Sequence, residues 1–198
     1  EEEEDFYDVV EISKSEDFFE KAPEKVTATE TTFDDLQLSP GMLKSIKQMG
    51  YVTPTPIQLN AISVILAGKS LCASAVTGSG KTAAFLIPII ERLSKGSGRS
   101  LDGNCARCVI LLPTRELAAQ CAEVFQKLSA HTRLDYLLVV GGVPMREQQQ
   151  TLQAGVDMVI ATPGRLIDHV LNSPAVSFHG LEILVLDEAD QLLDLGFQ

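Results

Sequence analysis

The sequence predicts an α/β domain built on a doubly wound parallel β-sheet with helices on both faces. Between residues 33 and 198, short apolar runs alternate with longer amphipathic segments. This βαβα order is typical of such sheets. The runs are continuously apolar instead of alternating, as expected of parallel strands that are covered on both faces.

Five apolar runs bounded by turn residues are predicted to be strands: residues 70–74, 107–112, 136–140, 157–161 and 181–186. Helices are predicted to start near Ser39, Lys81, Arg115, Pro144 and Pro163. Ser39 suits an N-cap and Pro40 a first helical position, and Gly50 stops that helix. The glycine- and serine-rich residues 94–104 are predicted to form an exposed loop.

The chain has 198 residues, of which 45% are hydrophobic, enough for one sizeable core and a tail. We expect one domain over residues 31–198. Residues 1–30 contain twelve acidic residues and three lysines, so a disordered acidic tail or linker is predicted there. Residues 17–23 could instead be a docking peptide or a strap across the core. The tail carries most of the net charge of −11, so this charge does not exclude a nucleic-acid partner.

Apolar runs of the roughly 18 residues that a membrane span needs do not occur, and the acidic N-terminus is unlike a signal peptide. A soluble intracellular protein without a membrane partner is therefore expected. Cys105 and Cys108 form a CxxC pair, but there is no second such pair and no close pair of histidines. Reduced cysteines serving as small apolar residues are favoured over zinc or redox chemistry.

The segment AVTGSGKT at residues 75–82 follows a predicted strand and indicates a phosphate-binding loop. A glycine-bearing turn that leads into a helix at Lys81 would point backbone N–H groups and the helix N-terminus at phosphates. Lys81 would reach the β and γ phosphates, and the Thr82 hydroxyl would bind magnesium. Ala75 departs from the general GxxxxGK[ST] pattern, which has glycine at that position.

The tetrad DEAD at residues 187–190 directly follows the apolar run 181–186. Its acids are therefore predicted at the carboxyl end of a buried strand, where open α/β sheets hold ligands. One acid there can bind magnesium and a second can polarise an attacking water. Alternatively, these acids simply favour the first turn of a helix that starts near Asp187.

Four motifs in fixed order, GYVTPTPIQ at 50–58, AVTGSGKT at 75–82, PTREL at 113–117 and DEAD at 187–190, resemble those of the DEAD-box RNA helicases. The resemblance covers residues 33–198. It implies a RecA-like P-loop NTPase fold that uses ATP and Mg²⁺, and Ala75 is the residue these helicases have at that position. Asp187 is then a magnesium ligand together with Thr82. Lys81, Asp187 and Glu188 are the expected catalytic residues, with Glu188 polarising the water.

The segment from Phe33 to Gln58 resembles the Q motif and its upstream aromatic residue. The Gln58 amide carries a donor and an acceptor, so it can pair with the N6 and N7 edge of adenine. Phe33 and Tyr51 are candidates to pack the base, although core packing would also explain them. The full set predicted to bind nucleotide is Phe33, Tyr51, Thr55, Gln58, Ala75, Thr77, Gly78, Ser79, Gly80, Lys81 and Thr82.

Three further motifs match the elements with which DEAD-box proteins hold the RNA sugar-phosphate backbone. Helix N-termini, glycine N–H groups and two guanidiniums suit this role, which reads backbone shape with little sequence specificity. Arg115 and Arg165 could instead be surface residues paired with acids. The predicted RNA-binding residues are Pro113, Thr114, Arg115, Gly141, Gly142, Thr162, Pro163, Gly164 and Arg165.

The amino-acid sequence of residues 75–93, 140–142 and 160–173 is similar to that of the nucleolar branch of these helicases, which acts in large ribosomal subunit assembly. This implies an ATP-dependent RNA helicase in the nucleus and nucleolus, with pre-ribosomal proteins as candidate partners, and we expect a monomer. A non-enzymatic ATP-gated RNA clamp or assembly scaffold is the alternative, and a DNA translocase fits the motifs less well.

The resemblance also implies a second RecA-like domain and a strand, between the phosphate-loop strand and the DEAD strand, that this sequence lacks. We therefore expect a domain that is incomplete at its C-terminus, with a gap in its sheet. Neither unwinding nor appreciable ATPase activity is expected of this chain alone.

Overall fold

A computed structural model describes residues 9–12, 20–21, 31–96, 105–172, 178–194 and 196. The chain divides into two compact units. The first comprises residues 1–92 and 127–132, and the second comprises residues 93–126 and 133–198. No helix within the described ranges has both the length and the apolar character needed to cross a membrane.

The first unit contains a small antiparallel sheet and the helices around the phosphate loop. Its strands have the order β2-β1-β3, with Val9 opposite Ala73 and Ile12 opposite Ser70. Its elements are β1 (Val9–Ile12), β2 (Glu20–Lys21), a 3₁₀ turn (Phe33–Leu36), α1 (Pro40–Gln48), α2 (Pro56–Leu66), β3 (Ser70–Ala73) and α3 (Lys81–Lys95).

Two short segments of the N-terminal region form strands where the sequence predicts no regular structure. Val9–Ile12 carries three β-branched residues, which suit a strand, and it pairs with the backbone of β3. Glu20–Lys21 pairs in turn with β1. The remainder of residues 1–30 lies outside the described residues, including most of the 17–23 segment, so its disorder stays a prediction.

Helix α1 begins where the sequence predicts. The Ser39 hydroxyl accepts a hydrogen bond from the Met42 N–H at 3.2 Å, and Pro40 occupies the first helical position. The Ser39 N–H and O–H both donate to Oε1 of Glu91, a buried residue of α3. This N-cap therefore also links α1 to the helix that follows the phosphate loop.

Helix α2 is absent from the helices that the sequence predicts. Thr55 is the N-cap, Pro56 is the first helical residue and Gln58 is the third. Threonine, proline and glutamine at these positions are a known signature of a helix start. The sequence therefore contained a signal for this helix.

The second unit is built on the predicted parallel sheet, with helices on both faces and strand order β5-β6-β4-β7. Cys108 pairs with Met158 on one side and with Ile183 on the other. The predicted strands and helix starts are confirmed to within about two residues. The elements are β4 (Cys108–Leu111), α4 (Arg115–Leu128), β5 (Tyr136–Val139), α5 (Met145–Ala154), β6 (Met158–Ala161), α6 (Pro163–Asn172), β7 (Ile183–Leu186) and α7 (Ala189–Asp194).

The predicted burial of the strands holds for the two inner strands only. β6 is buried along its whole length and β4 along most of it. On β7, which pairs only with β4, Leu184 and Leu186 are 57% and 53% exposed. β3 is mostly exposed and pairs antiparallel with β1, so the expectation of a parallel strand covered on both faces is wrong for β3.

The gap expected in the sheet stays a prediction. β3 and β7 belong to separate sheets, and no strand among the described residues joins them. Apolar side chains of β7 consequently face a side of the sheet that nothing in the described part of the chain covers.

Arg107 links the amino-terminal ends of the parallel strands β4, β6 and β7. Its side chain is 6% exposed, and Nε donates to Glu182 Oε1 at 2.6 Å. Nη1 donates to the Leu93 carbonyl at 3.0 Å and lies 4.0 Å from Asp157 Oδ1. The Arg107 backbone carbonyl accepts from the Glu182 and Ile183 N–H groups. Arg107 immediately precedes β4, so it connects the start of this strand with the segments that lead into β6 and β7.

Arg107→Met is expected to lower the free energy of unfolding by about 3 kcal/mol, because it leaves the buried Asp157 carboxylate without its cation. Arg133→Met, at an exposed arginine, serves as the matched control and should change stability by less than about 0.5 kcal/mol. The chain has no tryptophan, so urea unfolding should be followed by far-UV circular dichroism. Equal losses in the two variants would contradict the role of Arg107.

Candidate functional site

Four candidate motifs follow the carboxyl ends of the four parallel strands. Residues 141–142 follow β5, 162–165 follow β6, 113–117 follow β4 and 187–190 follow β7. In a parallel sheet these ends lie at the same edge. The strand order β5-β6-β4-β7 therefore places the three predicted RNA-binding motifs on adjacent strands, with the DEAD tetrad beside them.

The PTREL motif and the glycine pair are in direct contact. A Cβ added at Gly141 would lie 2.7 Å from Nη2 of Arg115, so only glycine lets this guanidinium lie against the backbone. Gly142 has a φ of +91°, which other residues rarely adopt. Thr114 accepts from the Leu117 N–H and caps α4. The structure thus brings together two motifs that lie about 25 residues apart in the chain.

The TPGR motif forms the start of α6 and is tied to β5. The Thr162 N–H donates to the Val139 carbonyl at 3.1 Å, and the Thr162 carbonyl accepts from the Leu166 N–H. Gly164 is exposed, and a Cβ added there would meet no atom within 4 Å. Packing within the chain therefore does not require this glycine, whereas close approach of a ligand to the helix N-terminus would.

The two arginines are available for a ligand. Arg115 is exposed and Arg165 is half-buried. Neither forms an ion pair with an acidic side chain among the described residues. RNA contact by these two arginines stays a prediction.

The DEAD tetrad begins as the β7 ladder ends. The Asp187 N–H donates to the Leu111 carbonyl at 3.0 Å, and Asp187 Oδ1 accepts from the Glu188 N–H at 3.1 Å. Glu188 has a φ of +51°, in the left-handed region that costs a non-glycine residue free energy. Such strain persists mostly where function requires a particular side-chain direction. Helix α7 begins only at Ala189, after both acids.

Two of the four cysteines are buried as small apolar residues would be. Cys108 and Cys121 are 0% and 2% exposed, whereas Cys72 is exposed and Cys105 is half-buried. Burial raises the pKa of Cys121 to about 12, and the charge of Asp187 adds to the shift. Burial likewise raises the pKa of Cys108. Neither buried thiol is a thiolate near neutral pH, so neither is prepared for metal or redox chemistry.

The phosphate loop has the predicted local geometry in the first unit. Gly78 and Gly80 have φ values of +84° and +88°, and α3 begins directly afterwards at Lys81. The Ser79 N–H donates to the Val76 carbonyl at 3.3 Å and closes the turn. Ala75, Thr77 and Thr82 flank this turn as the sequence places them.

Gln58 is hydrogen-bonded to the phosphate loop. It is 4% exposed, its Oε1 accepts from the Thr55 N–H at 3.0 Å, and its Nε2 donates to the Gly80 carbonyl at 3.3 Å. A Cβ at Gly80 would lie 2.6 Å from Nε2, so the glycine makes this approach possible. Pairing of the amide with adenine therefore requires these hydrogen bonds to be exchanged for bonds to the base, and it stays a prediction.

The two aromatic candidates differ. Phe33 is 3% exposed, so its ring packs in the core and offers no face to a base. For Phe33 the core-packing alternative is the one that the structure supports. Tyr51 is half-buried, and burial raises the pKa of its hydroxyl. Its ring keeps an accessible part, so packing against a base stays open for Tyr51 alone.

The residues present fit a nucleotide. The Ser79 hydroxyl oxygen is buried and has no hydrogen-bond partner among the described residues, and buried polar atoms of this kind usually bind a ligand or water. Ser79 lies in the glycine turn just before the N-terminus of α3, which favours anions. The described residues contain no cluster of three acidic, cysteine or histidine side chains that could hold a metal.

A buried polar pair was missed in the sequence. Gln148 on α5 and His169 on α6 are 1% and 0% exposed, and His169 Nε2 lies 2.8 Å from Gln148 Oε1. Gln148 Nε2 donates to the Val140 carbonyl at 3.0 Å. Gln148 is the first of three consecutive glutamines, and His169 lies between Asp168 and Val170 beyond the TPGR motif, so neither position carries a signal of burial. The sequence therefore could not have indicated this pair.

Comparison with known proteins identifies the family of the chain. A family model described as DEAD/DEAH box helicase matches residues 55–198. ATP-dependent RNA helicase DRS1 of Debaryomyces hansenii is 49% identical over 186 residues, which are 92% of this chain and 24% of that protein. Probable ATP-dependent RNA helicase ddx27 of Dictyostelium discoideum is 50% identical over 167 residues, which are 84% of this chain and 21% of that protein.

Among solved structures, a DEAD box protein from the hyperthermophile Methanococcus jannaschii is similar with a TM-score of 0.73 and 34% identity, covering 85% of this chain and 44% of that one. The fold is thus RecA-like. The chain belongs to the DEAD/DEAH box helicase family. It spans about a quarter of the length of the curated relatives it matches.

Gly80→Ala is expected to cost about 1 kcal/mol more stability than Gly78→Ala. Both glycines have nearly the same positive φ, so both variants carry the same backbone strain. Only the methyl group at residue 80 collides with Gln58, whereas the space at Gly78 is open. The additional cost is that of the lost hydrogen bond. Urea unfolding measures the difference, and equal stabilities would mean that the Gln58 contact contributes nothing.

The stability of the chain is expected to fall in acid because of His169. Burial lowers the pKa of this imidazole, Arg165 lowers it further, and Asp168 opposes the shift. The unfolded chain therefore binds this proton more readily, and stability is lost as pH falls below about 6.5. His169→Gln should show a smaller decline between about pH 7 and pH 5 in urea unfolding. An identical decline in both proteins would show that His169 does not contribute.

Proposed function

We propose that this chain is the ATP-binding part of an ATP-dependent RNA helicase, which couples RNA-stimulated ATP hydrolysis to local remodelling of RNA duplexes or RNA–protein complexes. The observation that carries the proposal is the alignment of the glycine pair, TPGR, PTREL and DEAD on four adjacent parallel strands. This sheet edge combines the acidic DEAD tetrad with three motifs that suit an RNA backbone. Such an arrangement suits a protein in which nucleotide binding and RNA binding influence each other. The names of the relatives agree with this activity.

The nucleotide site uses residues with distinct tasks. Mg-ATP, when bound, would supply the phosphoryl group that is transferred to water. Lys81 would hold the β and γ phosphates, and Thr82 and Asp187 would hold the magnesium ion. Glu188 would orient and polarise the attacking water. Gln58 would select adenine through the donor and acceptor of its amide.

The RNA site would hold the sugar-phosphate backbone. Arg115 and Arg165 would supply charge, with the Arg115 guanidinium lying against Gly141 and Gly142, and the backbone at Gly164 is open to close approach. Backbone contacts fix position but carry little sequence information, so we propose RNA binding with little sequence specificity.

We propose catalysis over a scaffold role because of Glu188. A clamp that only binds ATP has no chemical need for a carboxylate held in a strained left-handed conformation. Assignment to ribosome biogenesis in the nucleolus, with pre-ribosomal proteins as partners, rests on the resemblance of residues 75–93 and 160–173 to the nucleolar branch.

Calorimetric titration with Mg-ADP and Mg-GDP tests the nucleotide assignment. We expect the parent chain to prefer ADP and Lys81→Ala to bind neither, because the phosphate charge loses its partner. Gln58→Ala should lose most of the preference for ADP, about tenfold, since a bidentate contact to a base contributes roughly 1–3 kcal/mol. Equal weakening of ADP and GDP by both substitutions would count against the assignment.

A further inference from the structure

The buried pair Gln148–His169 lies directly beneath the proposed RNA site. The Gln148 amide nitrogen donates to the Val140 carbonyl at 3.0 Å and approaches the Leu138 carbonyl at 3.5 Å. Val140 immediately precedes Gly141, the first residue of the glycine pair. The amide therefore holds the segment that leads from β5 into the pair.

The orientation of the Gln148 amide determines which nitrogen of His169 carries a proton. With its nitrogen facing two carbonyl oxygens, its oxygen must face His169. The reverse orientation would place an oxygen against two other oxygens. Because Gln148 Oε1 accepts, His169 must donate from Nε2.

The other imidazole nitrogen confirms a neutral ring. His169 Nδ1 is buried and has no hydrogen-bond partner, so a second proton there would place an uncompensated charge in the interior. A neutral imidazole that donates from Nε2 is the species that fits.

The pair connects all three RNA-binding motifs. His169 lies one helical turn after Arg165 of TPGR. From His169 the connection runs through Gln148 to the Val140 carbonyl, and then to the glycine pair, against which Arg115 lies. A second link joins the start of α6 to the end of β5 through the Thr162 N–H and the Val139 carbonyl.

We propose that Gln148 and His169 are positioning residues for RNA binding, which set the distance between the N-terminus of α6 and the glycine pair through the His169 Nε2–H···Gln148 Oε1 hydrogen bond. This inference rests on the proposed function. Apolar side chains could fill the same volume and would often be at least as stable, but they would not fix a donor and an acceptor at set positions. The pair thus sets the geometry of the RNA site without contacting the RNA.

Fluorescence anisotropy with a labelled single-stranded oligouridine at low salt tests the proposal on this chain. His169→Leu removes the donor at similar volume and should lower RNA affinity about tenfold at a temperature where the variant is folded, with a lower unfolding midpoint because the buried Gln148 Oε1 loses its donor. His169→Gln can place an amide N–H near the position of Nε2, and it should stay within about twofold of the parent. Val170→Leu, at a half-exposed position of the same helix, should bind like the parent. Mg-ADP affinity should be unchanged in all three.

Arg165→Ala separates this inference from the function on which it rests. If Arg165→Ala binds RNA as the parent does, the proposed RNA site itself is wrong. If Arg165→Ala is weakened while His169→Leu binds normally, or while His169→Gln is weakened as much as His169→Leu, the positioning role alone is overturned. Should His169→Leu fail to fold, Gln148→Met, which has a similar volume and no N–H to donate to the Val140 carbonyl, takes its place with the same expected loss.

Discussion

Parallel pairing of β5, β6, β4 and β7 is the constraint on which the second unit depends. It brings four carboxyl strand ends, and the segments that follow them, to one edge of the sheet. The pairing is stabilised from the opposite edge, where the buried Arg107 joins the approaches to three strands. In the interior, β4 and β6 are covered on both faces by apolar side chains. Because these parts are rigid, short motifs with no regular structure of their own can be held in a definite order beside one another.

Most of this arrangement could be predicted because each element carries a local signal. Ser39 and Pro40 mark a helix start through their backbone chemistry, and the apolar runs that became β4 and β6 are buried as continuous runs predict. Predictions failed where long-range contacts decide the outcome. Nothing in residues 70–74 indicates that β3 pairs antiparallel with Val9–Ile12, since an exposed strand accepts whichever segment supplies backbone partners. The burial of Phe33 likewise depends on the tertiary packing around it and not on its motif. Helix α2 is different, because its capping signature was present and was not used.

Two buried amides have corresponding places in the two units. Gln58 links the start of α2 to the carbonyl of Gly80 in the phosphate loop, and Gln148 links α5 to the carbonyl of Val140 before the glycine pair. In each case a side chain on a helix holds the backbone of a glycine-containing segment that is proposed to bind phosphates. A segment of this kind has few contacts of its own, because glycine offers no side chain for packing. Support from a neighbouring helix is therefore how the fold gives a flexible sequence a defined shape. Glu188 shows the same principle, since the hydrogen bonds around it hold a backbone conformation that it would not adopt alone.

The central claim is that RNA lies across the carboxyl ends of the parallel strands, and photo-crosslinking tests it most directly. A single-stranded RNA that contains 4-thiouridine would be irradiated with the chain, with unlabelled RNA as competitor, and the crosslinked residues would be mapped by mass spectrometry. Crosslinks that unlabelled RNA suppresses are expected within residues 113–117, 141–142 and 162–165. Crosslinks concentrated at the opposite edge, around Arg107 and Glu182, or spread evenly over the surface, would contradict the claim.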